Sequence, residues 1–594
     1  MKKTPLPVLP YTPDQFAART QCELRAWSER FDADRTTEDP ADVQMTMEMG
    51  KIVRDLARQR AGHALQVASD ALSPKEAQEE TAALLSLDAP ILNGMFGGDA
   101  PFQVPVLEPQ DDGTYRVITS GLATRAKEHH LDRLGYYAYR LTVEEGLPVS
   151  SAVLLTPNKE YELGEDRTID PEGFFQKTEF RLDPDRIQNG VYSTNEALQT
   201  ALEDLADRME FDPLYIRPTD KKDNPLPSLD ELMAAAYGRT LEWDDLAPDE
   251  EPVVEVGSHC NKPNPCPIKD HCQSLLPADH VSRLPHAHAA VKKLLARGTR
   301  NILDIPATET ITKKGTGYAD RVHQVYHQGE PYIDGDGLRQ AGESFNGGYH
   351  VVDFETAAVA VPFAPGLSPY SPVAFQWSLH TVTADGIRHR EHIEIEPGED
   401  PTLGFLESLR GALGDDDLPI VIYSQHENTT LRQTTERFPA FRGFAENFKD
   451  RHVDLLRIVK DNLYMEEFGG RFGLKQVGPV VLDELERALR TGESAHFPHL
   501  GRLGRKERDA LLRILGDATY EGLDVANGAV AQAEWIRGMN PELSETEREE
   551  IRMAEKAYCR IDTLQPVLLS GAIMPGAMEI LRRSVAPSRT VTPR

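Results

Sequence analysis

The segment YHVVDFETAAV, residues 349–359, constrains this chain more than any other. It has the length and apolar content of a buried strand, yet it carries two acids, Asp353 and Glu355, spaced two apart. Side chains alternate between the faces of a strand, so both carboxylates point to the same side. Two close carboxylates repel, and a buried pair is costly unless it is protonated or neutralised by a divalent cation. The segments that follow read as a second strand, PVAFQWSLHTV, and an alternating third, GIRHREHIEIE. A helix, TLGFLESLRGALG, then a strand, PIVIYSQ, and a helix beginning at His426 complete the pattern.

A second α/β pattern is predicted upstream. Residues 12–30 read as one helix, with Thr12 as its cap and Pro13 in its first turn. A further helix covers 43–61. FQVPVLEP, TYRVITSG, DRLGYYAYRLTVEEG and VSSAVLLTP then follow as strand, strand, helix and strand. Residues 212–256, rich in proline and acids, read as an exposed connection with a short helix inside. The expected fold class is α/β, with boundaries at 1–280, a helical linker 281–345, a second domain 346–575 and a disordered tail 576–594. A chain of 594 residues is too long for one hydrophobic core.

The net charge is −31, from 65 basic and 96 acidic residues. Such a surface weakens non-specific binding to nucleic acid, although local basic segments escape the global sum. Lys292 to Arg300 and Lys313 to Lys314 are two such segments, able to touch phosphates or to form a solvated face. Tyr370, Phe375 and Trp377 are candidates for stacking on bases, with core packing the plainer reading. No apolar run is long enough for a transmembrane span, so no membrane partner is expected. The opening MKKTPLPVLPYTP has no apolar segment behind its lysines, which favours a cytoplasmic location.

Five cysteines are present: Cys22, Cys260, Cys266, Cys272 and Cys559. Three of them fall in CNKPNPCPIKDHC, a C-x5-C-x5-C array in a polar, proline-containing loop. Three thiols so close in a long chain without a secretion signal point to a metal or cluster site rather than disulfides. The fourth ligand is Cys22 or His271.

Three acidic motifs occur in order in the second half: Asp353-Phe354-Glu355, Glu427 directly after a strand, and Tyr558-Cys559-Arg560-Ile561-Asp562 on a predicted helix. The i, i+4 spacing of Tyr558 and Asp562 puts phenol and carboxylate on one helix face. This ordered set resembles the DEDD-type 3′→5′ exonucleases in their Y-x3-D variant, and the element order resembles a ribonuclease-H-like fold. The resemblance implies Asp353, Glu355, Glu427 and Asp562 as ligands of two Mg²⁺ or Mn²⁺ ions, with Tyr558 orienting the attacking water. Glu427 stands where aspartate is usual and Ser424 where asparagine is common. Asp454, in RHVDLLRIV, is a substitute for Glu427 or an outer group. Lys475, in RFGLKQV, is placed by the resemblance near phosphate.

The cysteine layout resembles the iron–sulfur nucleases of the RecB and CRISPR-associated PD-(D/E)XK group. That resemblance implies a 4Fe–4S cluster on Cys22, Cys260, Cys266 and Cys272, with a Zn site using His271 as the alternative. The whole chain resembles an uncharacterised bacterial family that joins such a module to a DEDD-like domain. Against the nuclease pattern, Pro105 takes the place of an aspartate, Thr119 and Gly121 those of glutamate and lysine, and Tyr137 that of glutamine. The first module is therefore expected to be catalytically silent, with no acid–base substitute evident; the lesser alternative is an active first nuclease domain using the nearby Glu108 or Lys127. The resemblance implies a metal-dependent 3′→5′ exonuclease acting on single-stranded DNA or RNA ends. The competing expectation is a non-catalytic scaffold subunit that binds nucleic acid or a protein partner.

Overall fold

The computed structural model describes residues 11–35, 41–69, 71–182, 202, 226–241, 243, 246–262, 264–345, 347–523, 525 and 527–585. The fold is mixed α/β and divides into two compact units. Unit 1 holds residues up to Leu275 together with Val359–Ser371; unit 2 holds Leu276–Ala358 and Pro372 onward. The short return of 359–371 was not anticipated. Its Ala360, Val361 and Tyr370 pack with Val53, Leu155 and Phe175 of unit 1.

Unit 1 is built on a six-stranded sheet in sequence order: β1 Leu65–Gln66, β2 Ile91–Phe96, β3 Phe102–Pro109, β4 Tyr115–Ser120, β5 Val149–Pro157 and β6 Phe175–Arg181. Of these, β4 and β5 run parallel, joined through the helix Glu128–Tyr139, and the β2–β3, β3–β4 and β5–β6 pairs are antiparallel. The single helix expected over 12–30 is two, Pro13–Gln21 and Glu23–Phe31. Cys22 breaks it, with φ −164° and ψ 126°, serving as C-cap of one helix and N-cap of the next. The expected exposed connection of 212–256 is also corrected. Its helix Leu229–Leu241 buries Leu232, Met233 and Ala236 in the main core of unit 1, and a Cβ on Gly135 would come within 2.2 Å of the Leu232 carbonyl. Residues 212–225 lie outside the described residues.

Unit 2 contains a small antiparallel pair, β7 Tyr332–Ile333 with β13 Leu463–Tyr464. Its main sheet comprises β8 Gly348–Ala357, β9 Val373–Thr383, β10 Gly386–Ile393, β11 Ile420–Ile422 and β12 His452–Asp454. The order is β10-β9-β8-β11-β12, antiparallel across the first three strands and parallel across the last three. Along β8, Val352 and Phe354 pack with Phe405, Leu409, Leu431 and Phe448 on one face. Tyr349 and Val351 join Val477, Val481, Leu564 and Val567 on the other, beneath the helices Leu474–Thr491 and Glu545–Ile573. Asp353 and Glu355 continue this second face by strand alternation.

Residues 281–345, expected as a linker, form part of the unit 2 core through Val281, Leu294, Ile302, Val322 and Leu338. The expected disordered tail is helical over Pro575–Val585, with Ala577, Met578, Ile580 and Leu581 buried, and 586–594 lies outside the described residues. Among the described residues no single helix is long and apolar enough to cross a membrane.

Phe354, between the two acids, is 2% exposed and its ring meets Phe405 edge-on at 4.9 Å. Replacing it with alanine should destabilise unit 2 by about 3–5 kcal/mol, measured by denaturant unfolding. A loss below about 1 kcal/mol would show that this face of the sheet is not packed as described.

Candidate metal centre

Three remote stretches meet on the second face of β8. Asp353 and Glu355 come from the strand itself. Glu427 enters from the first turn of the helix His426–Arg437, which starts just past β11. Tyr558, Cys559 and Asp562 descend from the helix Glu545–Ile573, whose N-terminus is fixed by a Ser544–Glu547 capping box. Next to Glu355 the β8–β9 register shifts, pairing Glu355 with Gln376 but Thr356 with Ala374. A bulge of this kind turns the strand locally. The skipped residue, Phe375, stacks on Trp535 at 4.6 Å.

Glu355 and Glu427 are 7% and 3% exposed, while Asp353 and Asp562 keep part of their surface open. Among the described residues one set of three donor groups can converge on a cation: Asp353, Glu355 and Cys559, with an atom of each within 4.8 Å of the others. The Cys559 thiol lies 3.5 Å from Asp353 Oδ2. Glu427 and Asp562 are not members of that triple, but both act on Asp353 through space.

Desolvation and crowding set the electrostatics. Burial, then repulsion from Asp562 and Glu427, holds the Asp353 carboxyl well above its usual range, with Cys559 and Lys475 opposing. Glu355 is raised by burial and by Asp353, Asp562 and Glu555. Glu427 is pushed up to about 8, by burial first and by Asp454. Asp562 is raised by burial and restrained by the Tyr520 and Tyr558 hydroxyls and by Lys475. The Tyr520 hydroxyl donates to Asp562 Oδ1. Lys475 Nζ donates to the Tyr558 hydroxyl at 3.2 Å and sits 4.8 Å and 5.1 Å from the Tyr558 and Tyr520 ring centres.

Glu427 Oε2 is buried without a hydrogen-bond partner, as are both carboxylate oxygens of Glu555. Oxygens enclosed in this way, beside other acids, fit a site for hard divalent cations. Asp454 has a different role: Oδ1 accepts from the Arg457 amide at 3.0 Å and Oδ2 from Gln425 Nε2 at 2.8 Å. It caps the helix Leu455–Asn462 and acts on Glu427 through space.

Tyr520, Glu555 and a role for Cys559 were not anticipated. Glu555, Tyr558, Cys559 and Asp562 fall at i, i+3, i+4 and i+7, and that stripe was a readable signal. For Tyr520 no local signal exists. Phe375 and Trp377, candidates for base stacking, are core residues at 0% and 3% exposure. Tyr370 packs in unit 1 with its hydroxyl on the Leu122 carbonyl. Lys292, Lys293, Lys313 and Lys314 are exposed.

In unit 1 the four cysteines gather. Cys22, Cys260 and Cys266 are buried and Cys272 is partly so, all as free thiols. Burial raises Cys22, Cys266 and Cys272, and charge repulsion links every pair among the four thiols. Gln21 Nε2 ties the first helix to the cysteine loop by donating to the His259 and Asn264 carbonyls, both at 2.8 Å. His271 instead acts on Glu251.

At the positions of the resembled nuclease site, Thr119 and Tyr137 are buried. A side chain on Gly121 would start 2.3 Å from His130 Nε2, so the imidazole fills the space beside this glycine. Glu108 is paired with Arg116 at 2.9 Å.

Residues 350–473 match the model of a domain of unknown function, DUF2779. The matched segment is about a fifth of the chain; it contains Asp353, Glu355, Glu427 and Asp454 and stops short of Lys475, Tyr558 and Asp562. No curated protein and no solved structure matches the chain.

A carboxyl raised when folded is protonated in the native state and ionised in the unfolded one between its two pKa values. Glu427 at about 8 and Glu555 at about 9 therefore contribute stability that is full below about 4.5 and is lost as pH rises through those values. Thermal melts of metal-free protein should fall between pH 5 and about 9. Glu427→Gln should flatten that slope, and an unchanged slope would remove Glu427 from the cluster.

Proposed function

We propose that unit 2 is a metal-dependent 3′→5′ exonuclease acting on DNA or RNA ends, built on a ribonuclease-H-like domain of the DEDD type. The observation that carries this reading is the meeting of Asp353, Glu355, Glu427 and Asp562 around one strand, with Tyr558 beside Asp562. The strand order β10-β9-β8-β11-β12 supports it, because a three-strand meander followed by parallel strands is the arrangement the resemblance implies. Two Mg²⁺ or Mn²⁺ ions held by these acids would supply an activated water and charge stabilisation for in-line phosphodiester cleavage. The acids would hold the cations, and the Tyr558 hydroxyl would orient a water. Lys475, 3.2 Å from that hydroxyl, brings a positive charge to where a phosphate would lie.

For unit 1 the reading is a catalytically silent PD-(D/E)XK-like module that keeps an iron–sulfur cluster and binds nucleic acid or a protein partner. The burial of the Gly121 position under His130 supports the silence. The gathering of Cys22, Cys260, Cys266 and Cys272, three of them buried, supports a 4Fe–4S cluster on these four, with a Zn site as the alternative. A cytoplasmic location belongs to the same reading.

The decisive assay incubates purified protein and Mn²⁺ with 5′-labelled single strands of DNA and RNA. Wild type should shorten them from the 3′ end, Asp353→Ala should lose at least about a thousandfold in rate, and Glu108→Gln should keep it. If wild type and Asp353→Ala are equally inert on every strand, the exonuclease reading fails and the scaffold reading takes its place. Protein purified without oxygen should be brown with about four irons per chain, and Cys22→Ser should lose them. A colourless protein holding one zinc would overturn the cluster.

A further inference from the structure

We propose that Cys559 is a sulfur ligand of the unit 2 metal centre, so that the site takes a thiophilic divalent cation such as Mn²⁺, Co²⁺ or Zn²⁺ in preference to Mg²⁺. The proposal rests on the acids being a metal centre, not on their cutting nucleic acid. The triple able to surround a cation is Asp353, Glu355 and Cys559. Ligands bonded to one ion at about 2.0–2.3 Å lie roughly 3–4 Å apart when adjacent. The 3.5 Å from Cys559 Sγ to Asp353 Oδ2 falls in that interval, as well as fitting an S–H donor.

Position and enclosure strengthen the assignment. Cys559 is fully buried, between Tyr558 and the turn that delivers Asp562, so its sulfur is held at the acids by the same helix that completes the site. A second observation points to a ligand there. Glu555, fully buried, has both carboxylate oxygens without a partner and acts on Glu355, and Glu427, 3% exposed, has one such oxygen and acts on Asp353. Oxygen-only sites suit Mg²⁺, whereas replacing one oxygen by a thiolate shifts preference toward softer ions. Each metal–sulfur bond formed releases the thiol proton to solvent.

The test titrates the full-length protein with Co²⁺ and follows sulfur-to-cobalt charge-transfer absorption. The four unit 1 thiols also absorb, so the readout is the difference between wild type and Cys559→Ser. That difference should show one thiolate, and Asp353→Asn should weaken its Co²⁺ affinity at least about tenfold. Superimposable wild-type and Cys559→Ser spectra would overturn the proposal. Cys559→Asp, which restores an all-oxygen site, should narrow the Mn²⁺-over-Mg²⁺ preference measured by competition at least about tenfold. An unchanged preference would count against it even if the serine variant fails to fold. A protein inert toward every strand that still shows the Cys559-dependent band keeps this proposal and loses the exonuclease reading. An active protein without the band does the reverse.

Discussion

The burial of carboxyls gathered beside β8 is the constraint around which unit 2 is arranged. Asp353, Glu355, Glu427 and Asp562 each have their charged form penalised by burial, with Lys475 the cation that opposes it at three of them. Enclosing such a set without a counter-ion costs stability, and a fold tolerates it only where the surrounding packing is strong. The surrounding packing is substantial. Phe354 is locked from below by Phe405 and Phe448, and the long helix above is anchored by Leu564, Val567 and Leu568. The acids are therefore held in place by apolar contacts they do not themselves make.

The two tyrosines and the lysine moderate this tension. The Tyr520 hydroxyl donates to Asp562, the Tyr558 hydroxyl lowers the pKa of the same carboxyl, and Lys475 lies against both rings. A cation over aromatic faces is stabilised by their electron-rich rings, and this one also acts on Asp353, Glu355 and Asp562. Cys559 differs from these groups in being soft and weakly polar in a set of hard oxygens. It stands beside Asp353 on the same helix that supplies Asp562.

Unit 1 treats its polar residues differently. Its sheet carries no comparable acid pair: Glu108 is satisfied by Arg116, and the space beside Gly121 is taken by the His130 ring, which burial drives to about 3 and so keeps neutral. Its concentrated chemistry is the thiol set. The break of the first helix at Cys22 sets that buried residue at a junction rather than along a helix face, and Gln21 ties the cysteine loop to the end of the first helix.

Local spacing was enough to read several elements of the site. Period-2 alternation put Asp353 and Glu355 on one side, i, i+4 spacing paired Tyr558 with Asp562, and the C-x5-C-x5-C array announced a thiol site. Such regularities follow from backbone geometry alone. Only tertiary structure decided the rest. It broke the helix at Cys22, buried Phe375 and Trp377 in the core, turned residues 281–345 and 575–585 into core elements, and brought Tyr520 to Asp562 across 42 positions. It also engaged both oxygens of Asp454 in hydrogen bonds to Arg457 and Gln425 while keeping it near enough to act on Glu427. The physical reason is that periodicity specifies which face a side chain takes, whereas the neighbour waiting on that face is set by how distant elements pack.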